Sequence, residues 1–181
     1  MYSVYRLSLY KKELNQKGLR RVICKKILGN LKDGQYSNHV IEYIDIEWHD
    51  AFHKIHKKVT KEGTEVGIHL DNDVLVRGLQ EGDILYADSS KVIAVHILPC
   101  EAIIAIVDTH HPKMIAKLCY EIGNRHATLF WGDNDHTFVT PYNEPILVML
   151  KKIHGVTTKV QTISLDFSKS ISSSINAHTH G

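Results

Sequence analysis

Histidine is the residue type with which this chain could do chemistry. Its 181 residues include 13 His, against 4 Phe, 2 Trp and 3 Met. Two of them, His178 and His180, form a His-x-His pair near the C-terminus. Neutral imidazole binds Ni, Cu and Zn, and two imidazoles on a flexible chain can hold one ion without a preformed pocket. The pair therefore predicts a labile metal site, with a chance repeat or part of a purification tag as the alternative.

A second candidate is His126, the last residue of the segment Gly-Asn-Arg-His that begins at Gly123. An apolar helical pattern precedes it, and we expect Gly123 to adopt the left-handed conformation that ends the helix. His126 would then lie where the helix meets the next strand. The alternative is a surface histidine, which is electrostatically favourable near a helix C-terminus.

The other histidines are weaker candidates. His49, His53 and His56 have the spacing of one helical face and could hold zinc, but a strand pattern runs into this segment and neighbouring lysines disfavour a cation. His110 and His111 are adjacent and are expected at the surface where a helix begins. The remaining ones are isolated, and we expect them to be solvated or locally hydrogen-bonded: His39, His69, His96, His136 and His154.

Several classes of function are disfavoured. The chain lacks HExxH, GxSxG, P-loop and GxGxxG motifs, and Cys119 lies on an apolar helical face, so we expect no enzyme. Lys and Arg number 22 against 20 Asp and Glu, which argues against charge-driven nucleic-acid binding. No apolar run approaches the roughly 18 residues of a membrane span. Three Cys without CxxC spacing suit a reducing compartment, and we expect the cytoplasm.

The elements that must position these residues fall into two regions. Residues 22–98 alternate short apolar runs with turns, which predicts a β-rich domain. Val40–Trp48 has the period of a half-buried strand, with Ile44, Ile46 and Trp48 on one face. Turns are expected at Asp33-Gly34, Glu62-Gly63 and Gly82-Asp83.

Residues 99–166 read as β-α-β-β-α-β, which predicts a ferredoxin-like sandwich and an α+β fold class overall. The predicted elements are a strand over Glu101–Val107, a helix from Pro112 to Gly123, strands over Ala127–Trp131 and Thr137–Thr140, a helix capped by Asn143 and stopped by Gly155, and a strand over Val156–Leu165. We interpret residues 1–21 as a basic extension, either a basic arm or an artefact of where translation was taken to start. The polar composition of residues 167–181 predicts a flexible tail.

Several segments together resemble one family. Cys119–His126 (CYEIGNRH) followed by ATLFWG looks like the signature of UreE, the nickel-carrying urease accessory protein. YIDIEW, KEGTEVGIHL, LQEGDILY, VIAVHIL and PYNEPILVMLKKIHGV resemble the family in order and spacing. The resemblance covers roughly residues 22–166, and GNRH in this setting is its most specific element.

This resemblance implies a homodimer whose first domain is similar to the peptide-binding module of heat-shock co-chaperones and whose ferredoxin-like second domain binds metal. It implies that His126 meets its twin across a two-fold axis, with His178 and His180 as tail ligands. The implied role is a nickel metallochaperone that delivers Ni(II) to apo-urease, working with the urease accessory GTPase. Zn(II) or Cu(II) would compete for the same site, and neither nucleic acid nor membrane is an implied partner.

The chain departs from the family pattern in its histidines. It has two tail His where some members have many, and TPYNEP lacks the peripheral His of others. His49, His53 and His56 stand where the family usually has Arg and Lys. Two other functions stay open: a metal-independent peptide- or protein-binding co-chaperone module, and RNA binding by the second domain, for which Phe130-Trp131 is the one hint.

Overall fold

The computed structural model describes residues 13–14 and 20–171. The described chain divides into two units. Unit 1 contains the residues up to Ile46 together with His53–Leu75 and Glu81–His96, and unit 2 contains Glu47–Phe52, Val76–Gln80 and the residues from Ile97 onward. The sequence predicts a single boundary between residues 98 and 99, whereas two short earlier segments belong to unit 2.

Those two segments are held to each other within unit 2. The backbone N–H of Leu79 donates to the carbonyl of Ala51 at 2.7 Å. The ring of Phe52 lies so close to Gly78 that a Cβ there would be 2.7 Å from it, and it packs edge-on against Phe167 at 5.1 Å. These contacts join residues far apart in sequence, so the hydrophobic pattern does not reveal them.

Unit 1 is built mainly from strands. Its described strands are β1 (Glu13–Leu14), β2 (Arg20–Cys24), β3 (Gly29–Asn30), β4 (Val40–Ile46), β5 (Ile55–Val59), β6 (Glu65–His69), β7 (Asp83–Ala87) and β8 (Lys91–Ile97), the last residue of which belongs to unit 2. The short helix α1 (Val74–Arg77) begins in unit 1, and its last two residues belong to unit 2. One sheet has the order β1-β2-β6-β5 and the other β3-β7-β8-β4. The predicted hairpin at Glu62-Gly63 is confirmed, because β5 and β6 pair antiparallel across it and Gly63 has φ 86°.

The predicted strand Val40–Trp48 ends at Ile46, before the tryptophan. Ile44 and Ile46 are fully buried, as the alternation predicts, and Glu42 is buried on the same face. The Glu42 carboxylate forms an ion pair with the ammonium group of Lys91 and accepts hydrogen bonds from the hydroxyls of Thr60 and Thr64 at 2.9 and 2.8 Å. Burying a charge requires such partners, and the sequence pattern does not identify them.

Unit 2 has the predicted element order β-α-β-β-α-β. Its main elements are β9 (Cys100–Val107), α2 (Lys113–Gly123), β10 (Phe130–Trp131), β11 (Thr137–Pro141), α3 (Glu144–Leu150) and β12 (Val156–Ile163). The sheet has the order β10-β11-β9-β12 with every neighbouring pair antiparallel. The α+β fold class is therefore confirmed, with sheets predominating.

The helices of unit 2 bury the stripes that their periodicity predicts. Leu118 and Ile122 from α2 join Ile146 and Leu150 from α3 in one core with the sheet. The side chain of Asn143 accepts a hydrogen bond from the N–H of Ile146 at 3.2 Å and thus caps α3. These contacts fix the end of α2, where His126 follows.

Candidate metal centre

His126 lies in a tight turn that closes α2. Its backbone N–H donates to the carbonyl of Gly123 at 2.9 Å, and the N–H of Ala127 donates to the carbonyl of Ile122 at 3.3 Å. These are the two hydrogen bonds of a Schellman motif, in which the first of the two donor residues, here His126, adopts the left-handed conformation. His126 has φ 53° and is the one non-glycine residue with a positive φ in the described parts of the chain.

The prediction that Gly123 supplies the left-handed residue is wrong. Gly123 is the last residue of α2, and its φ is not positive. The helical hydrogen bonds continue past it, because the N–H of Arg125 still donates to the carbonyl of Ile122 at 3.1 Å. The strained position falls on the histidine itself, where a Cβ is disfavoured and glycine is the usual residue. Strain of this kind is common at functional sites.

The residue before His126 is tied back to the helix. Nη1 of Arg125 donates to the carboxylate of Glu121 at 2.8 Å and to its backbone carbonyl at 2.7 Å. The guanidinium thus satisfies a C-terminal carbonyl of α2, and its positive charge is paired with an acid. This pairing reduces the repulsion that Arg125 would exert on a cation bound to the exposed His126.

A cavity of about 590 Å³ opens beside His126 within unit 2. Its walls include Trp48, Arg125, Thr128, Tyr142 and Asn143. Thr140 also lines it, and its hydroxyl is buried with no hydrogen-bond partner among the described residues. The imidazole therefore borders a space with room for water or a hydrated ion.

The sequence also predicts metal ligands on the tail and in the histidine cluster between residues 49 and 56. His178 and His180 lie outside the described residues. His49 belongs to unit 2, whereas His53 and His56 belong to unit 1, and His56 lies on β5 and not on a helix. A ring nitrogen of His56 forms a hydrogen bond of 2.8 Å with the carbonyl of His53. The three histidines therefore do not share the helical face that their spacing predicts.

Two histidines expected to be separate lie in contact. The Nε2 atoms of His111 and His154 are 3.2 Å apart, although the residues are 43 positions apart in sequence. The neighbouring His110 instead bonds the carboxylate of Asp108 through Nδ1 at 2.9 Å. Across residues 20–171, no three His, Cys, Asp or Glu side chains gather into a metal-binding group.

The cysteines have the character of unreactive thiols. Burial raises the pKa of Cys24 to about 12, and it also raises the pKa values of Cys119 and Cys100, the latter with a contribution from the charge of Glu47. A raised pKa disfavours the thiolate, which is the nucleophile and metal ligand.

Over the described residues, no helix has the length and apolarity to cross a membrane.

Comparison with known proteins places these features in a family. Residues 24–98 match the sequence model described as UreE urease accessory protein, N-terminal domain. Urease accessory protein UreE of Helicobacter acinonychis (strain Sheeba) is 37% identical over 145 residues, which cover 80% of this chain and 83% of that protein. The protein of the same name from Helicobacter pylori (strain G27) gives the same figures, and that from Helicobacter bizzozeronii is 36% identical over 151 residues, covering 83% of each chain. The chain therefore belongs to the UreE family of urease accessory proteins.

Proposed function

We propose that this chain is a metallochaperone that binds Ni(II) through His126 and delivers it to apo-urease during assembly of the urease metallocentre. As a urease accessory protein, the chain is not an enzyme. The observation that carries the proposal is the left-handed conformation of His126 in the turn after α2. That conformation holds the imidazole at the exposed end of the helix, beside a cavity, at a steric cost that glycine at the same position would avoid.

We propose that the site is completed by a second copy of the chain. One exposed imidazole is a weak ligand, and residues 20–171 contain no cluster of three ligand side chains. In a homodimer with two-fold symmetry, two His126 side chains can converge on the axis and supply two nitrogens to one ion. His178 and His180 would add further donors from the tails, which suits a site that must release its ion.

Imidazole ligands favour nickel over manganese, iron and cobalt, whereas copper binds at least as well and zinc also competes. Selectivity would then come from metal supply and from recognition by partners. The proposed partners are apo-urease and the urease accessory GTPase, in the cytoplasm, with no role for nucleic acid or membrane.

The domain roles also belong to the proposal. The order β10-β11-β9-β12 with antiparallel pairing supports a ferredoxin-like metal-binding domain in unit 2. The β-rich unit 1 would serve as a protein-binding module.

Activation of apo-urease tests this function. The full chain is loaded with Ni(II), separated from unbound metal and mixed with apo-urease and a chelator that removes free nickel. We expect recovery of urea hydrolysis with the unchanged chain and at least a tenfold loss with His126→Ala. His69→Ala is the control, because His69 is exposed on β6 in unit 1. Equal activation by His126→Ala and the unchanged chain would contradict the proposal.

A second candidate, a metal-independent co-chaperone module, is favoured by apolar side chains that unit 1 leaves exposed. Val40 is 66% exposed, Ile55 70% and Val59 58%, and they lie on β4 and β5, which are terminal strands of their sheets. Under this function, activation measured with free Ni(II) and without the chelator would be lost on substituting these residues with serine and would be unaffected by His126→Ala.

A further inference from the structure

We propose that His111 and His154 form a second transition-metal site, weaker than the one at His126, which takes a divalent ion such as Cu(II), Zn(II) or Ni(II). Their Nε2 atoms are 3.2 Å apart, and their rings meet at an angle of 66° with centroids 4.5 Å apart. Metal–imidazole bonds are about 2.0–2.1 Å long, so two adjacent nitrogens on one ion lie roughly 2.9–3.4 Å apart. The two nitrogens therefore already have the separation that a shared ion requires.

The backbone holds both rings in place. The N–H of Asp108 donates to the carbonyl of Gly155 at 2.8 Å, and the N–H of His111 donates to the carbonyl of Asp108 at 2.8 Å. These bonds tie the segment before α2 to the segment before β12. Ligands fixed before the ion arrives lose less conformational entropy on binding it.

Gly155 makes the close approach of His111 possible. It has φ 72°, and a Cβ at this position would lie 3.0 Å from Cδ2 and 3.1 Å from Cβ of His111. The imidazole thus occupies the space that a side chain at position 155 would fill. The glycine that the sequence identified as a helix stop also serves to bring the two histidines together.

Charges of both signs lie near the pair: the carboxylate of Asp108 precedes His111, whereas Lys113 follows it and Lys151 and Lys152 precede His154. The carboxylate of Asp108 accepts hydrogen bonds from the backbone N–H and from Nδ1 of His110, both at 2.9 Å. The carboxylate contributes a negative charge near the pair, but it is occupied with His110 and is not counted as a ligand.

Binding requires a change of tautomer and no other chemistry. In the metal-free pair, one neutral ring donates its Nε2–H to the Nε2 lone pair of the other. A metal ion needs both lone pairs, so the donor ring moves its proton to Nδ1 and no net proton is released from neutral rings. Two imidazoles fill only part of a coordination shell, and water would complete it, which accounts for the lower affinity.

This site is separate from the one at His126. The pair lies where α2 begins and His126 where it ends, and the helix has 11 residues. At about 1.5 Å per residue the helix separates them by roughly 16 Å, so one ion cannot reach both.

Copper titration of a variant that lacks the ligands proposed for the first metal site tests the inference. In the full chain, His126, His178 and His180 are replaced by alanine, and Cu(II) binding is followed by calorimetry and by electron paramagnetic resonance. We expect one remaining ion per chain with two equatorial nitrogen ligands. Adding either His111→Ala or His154→Ala should weaken its Kd at least tenfold and remove one nitrogen from the spectrum.

His110→Ala is the matched control, because it removes an exposed neighbouring histidine outside the pair. We expect this variant to retain both nitrogens. Copper binding that is unchanged in His111→Ala and His154→Ala, or that is lost equally in His110→Ala, would overturn the proposal. Circular dichroism on each variant identifies a loss of fold, and in that event His154→Gln replaces His154→Ala.

Discussion

The N–H of Ala127 reaches back over His126 to the carbonyl of Ile122, 3.3 Å away. This hydrogen bond closes the end of α2 and fixes His126 in the left-handed conformation. The direction of the proposed nickel ligand is therefore set by the backbone of the turn, and the turn is anchored in the core because Ile122 is fully buried.

Replacing His126 by glycine and by alanine separates backbone strain from ligand chemistry. Both variants lack the imidazole, but only glycine adopts a positive φ without a steric penalty. We expect His126→Gly to be about 1 kcal/mol more stable than His126→Ala. Urea unfolding of the two variants measures this difference, and equal stabilities would show that the residue is not held at positive φ.

Gly123→Ala distinguishes the observed turn from the one that the sequence predicts. A Cβ at this helical position would meet nothing within 4 Å. Because alanine favours the helix over glycine, we expect stabilisation by about 0.5–1 kcal/mol. Thermal unfolding provides the measurement. A clear destabilisation would instead indicate that Gly123 is the residue with a positive φ.

Unit 1 should lose stability in acid through Glu42. Burial tends to raise the pKa of this carboxyl, but hydrogen bonds from Lys91, Thr64 and Thr60 and the charge of Lys91 together lower it below its ordinary 4.5. A depressed pKa contributes stability that is present above pH 4.5 and is lost as the pH falls through the folded-state value.

Glu42→Gln isolates this contribution. At neutral pH the variant leaves Lys91 buried without its counter-charge, which costs about 3–5 kcal/mol in comparable buried pairs. The difference in unfolding free energy between the unchanged chain and Glu42→Gln should narrow as the pH falls below 4.5, because protonated Glu42 resembles glutamine. A difference that stays constant between pH 6 and pH 3 would rule out the ion pair as its source.

Cys24 should resist thiol reagents in the folded protein. It is fully buried, and its pKa of about 12 leaves almost no thiolate at pH 8. We expect iodoacetamide followed by mass spectrometry to label Cys24 only after unfolding. Labelling at native pH 8 with the rate of a free thiol would contradict the buried position.

Local patterns predicted most elements, because strand and helix periodicity in both units reflects one buried face. They also led to the prediction of His126 as a metal ligand, through the family signature around it. They failed where the outcome depends on residues distant in sequence. The ion pair of Glu42 was not predicted, because its partner Lys91 is 49 positions away, and the contact between His111 and His154 arises only once α2 and α3 have packed on the sheet.

The end of α2 shows a different limit of sequence reasoning. Glycine is the usual signal of a left-handed residue, so the pattern assigned that role to Gly123. Histidine is a much weaker signal of this conformation than glycine, and its strained conformation becomes visible only in the hydrogen bonds of the folded turn.

Calorimetric titration of Ni(II) into the full chain tests the central proposal most directly. The unchanged chain and the control His69→Ala should bind about one tightly held ion per two chains, as a symmetric site requires. His126→Ala should lose that tight binding, and binding to the unchanged chain should weaken as the pH falls through about 6, because protons compete for imidazole nitrogen. Tight binding that is unaltered in His126→Ala would contradict the account.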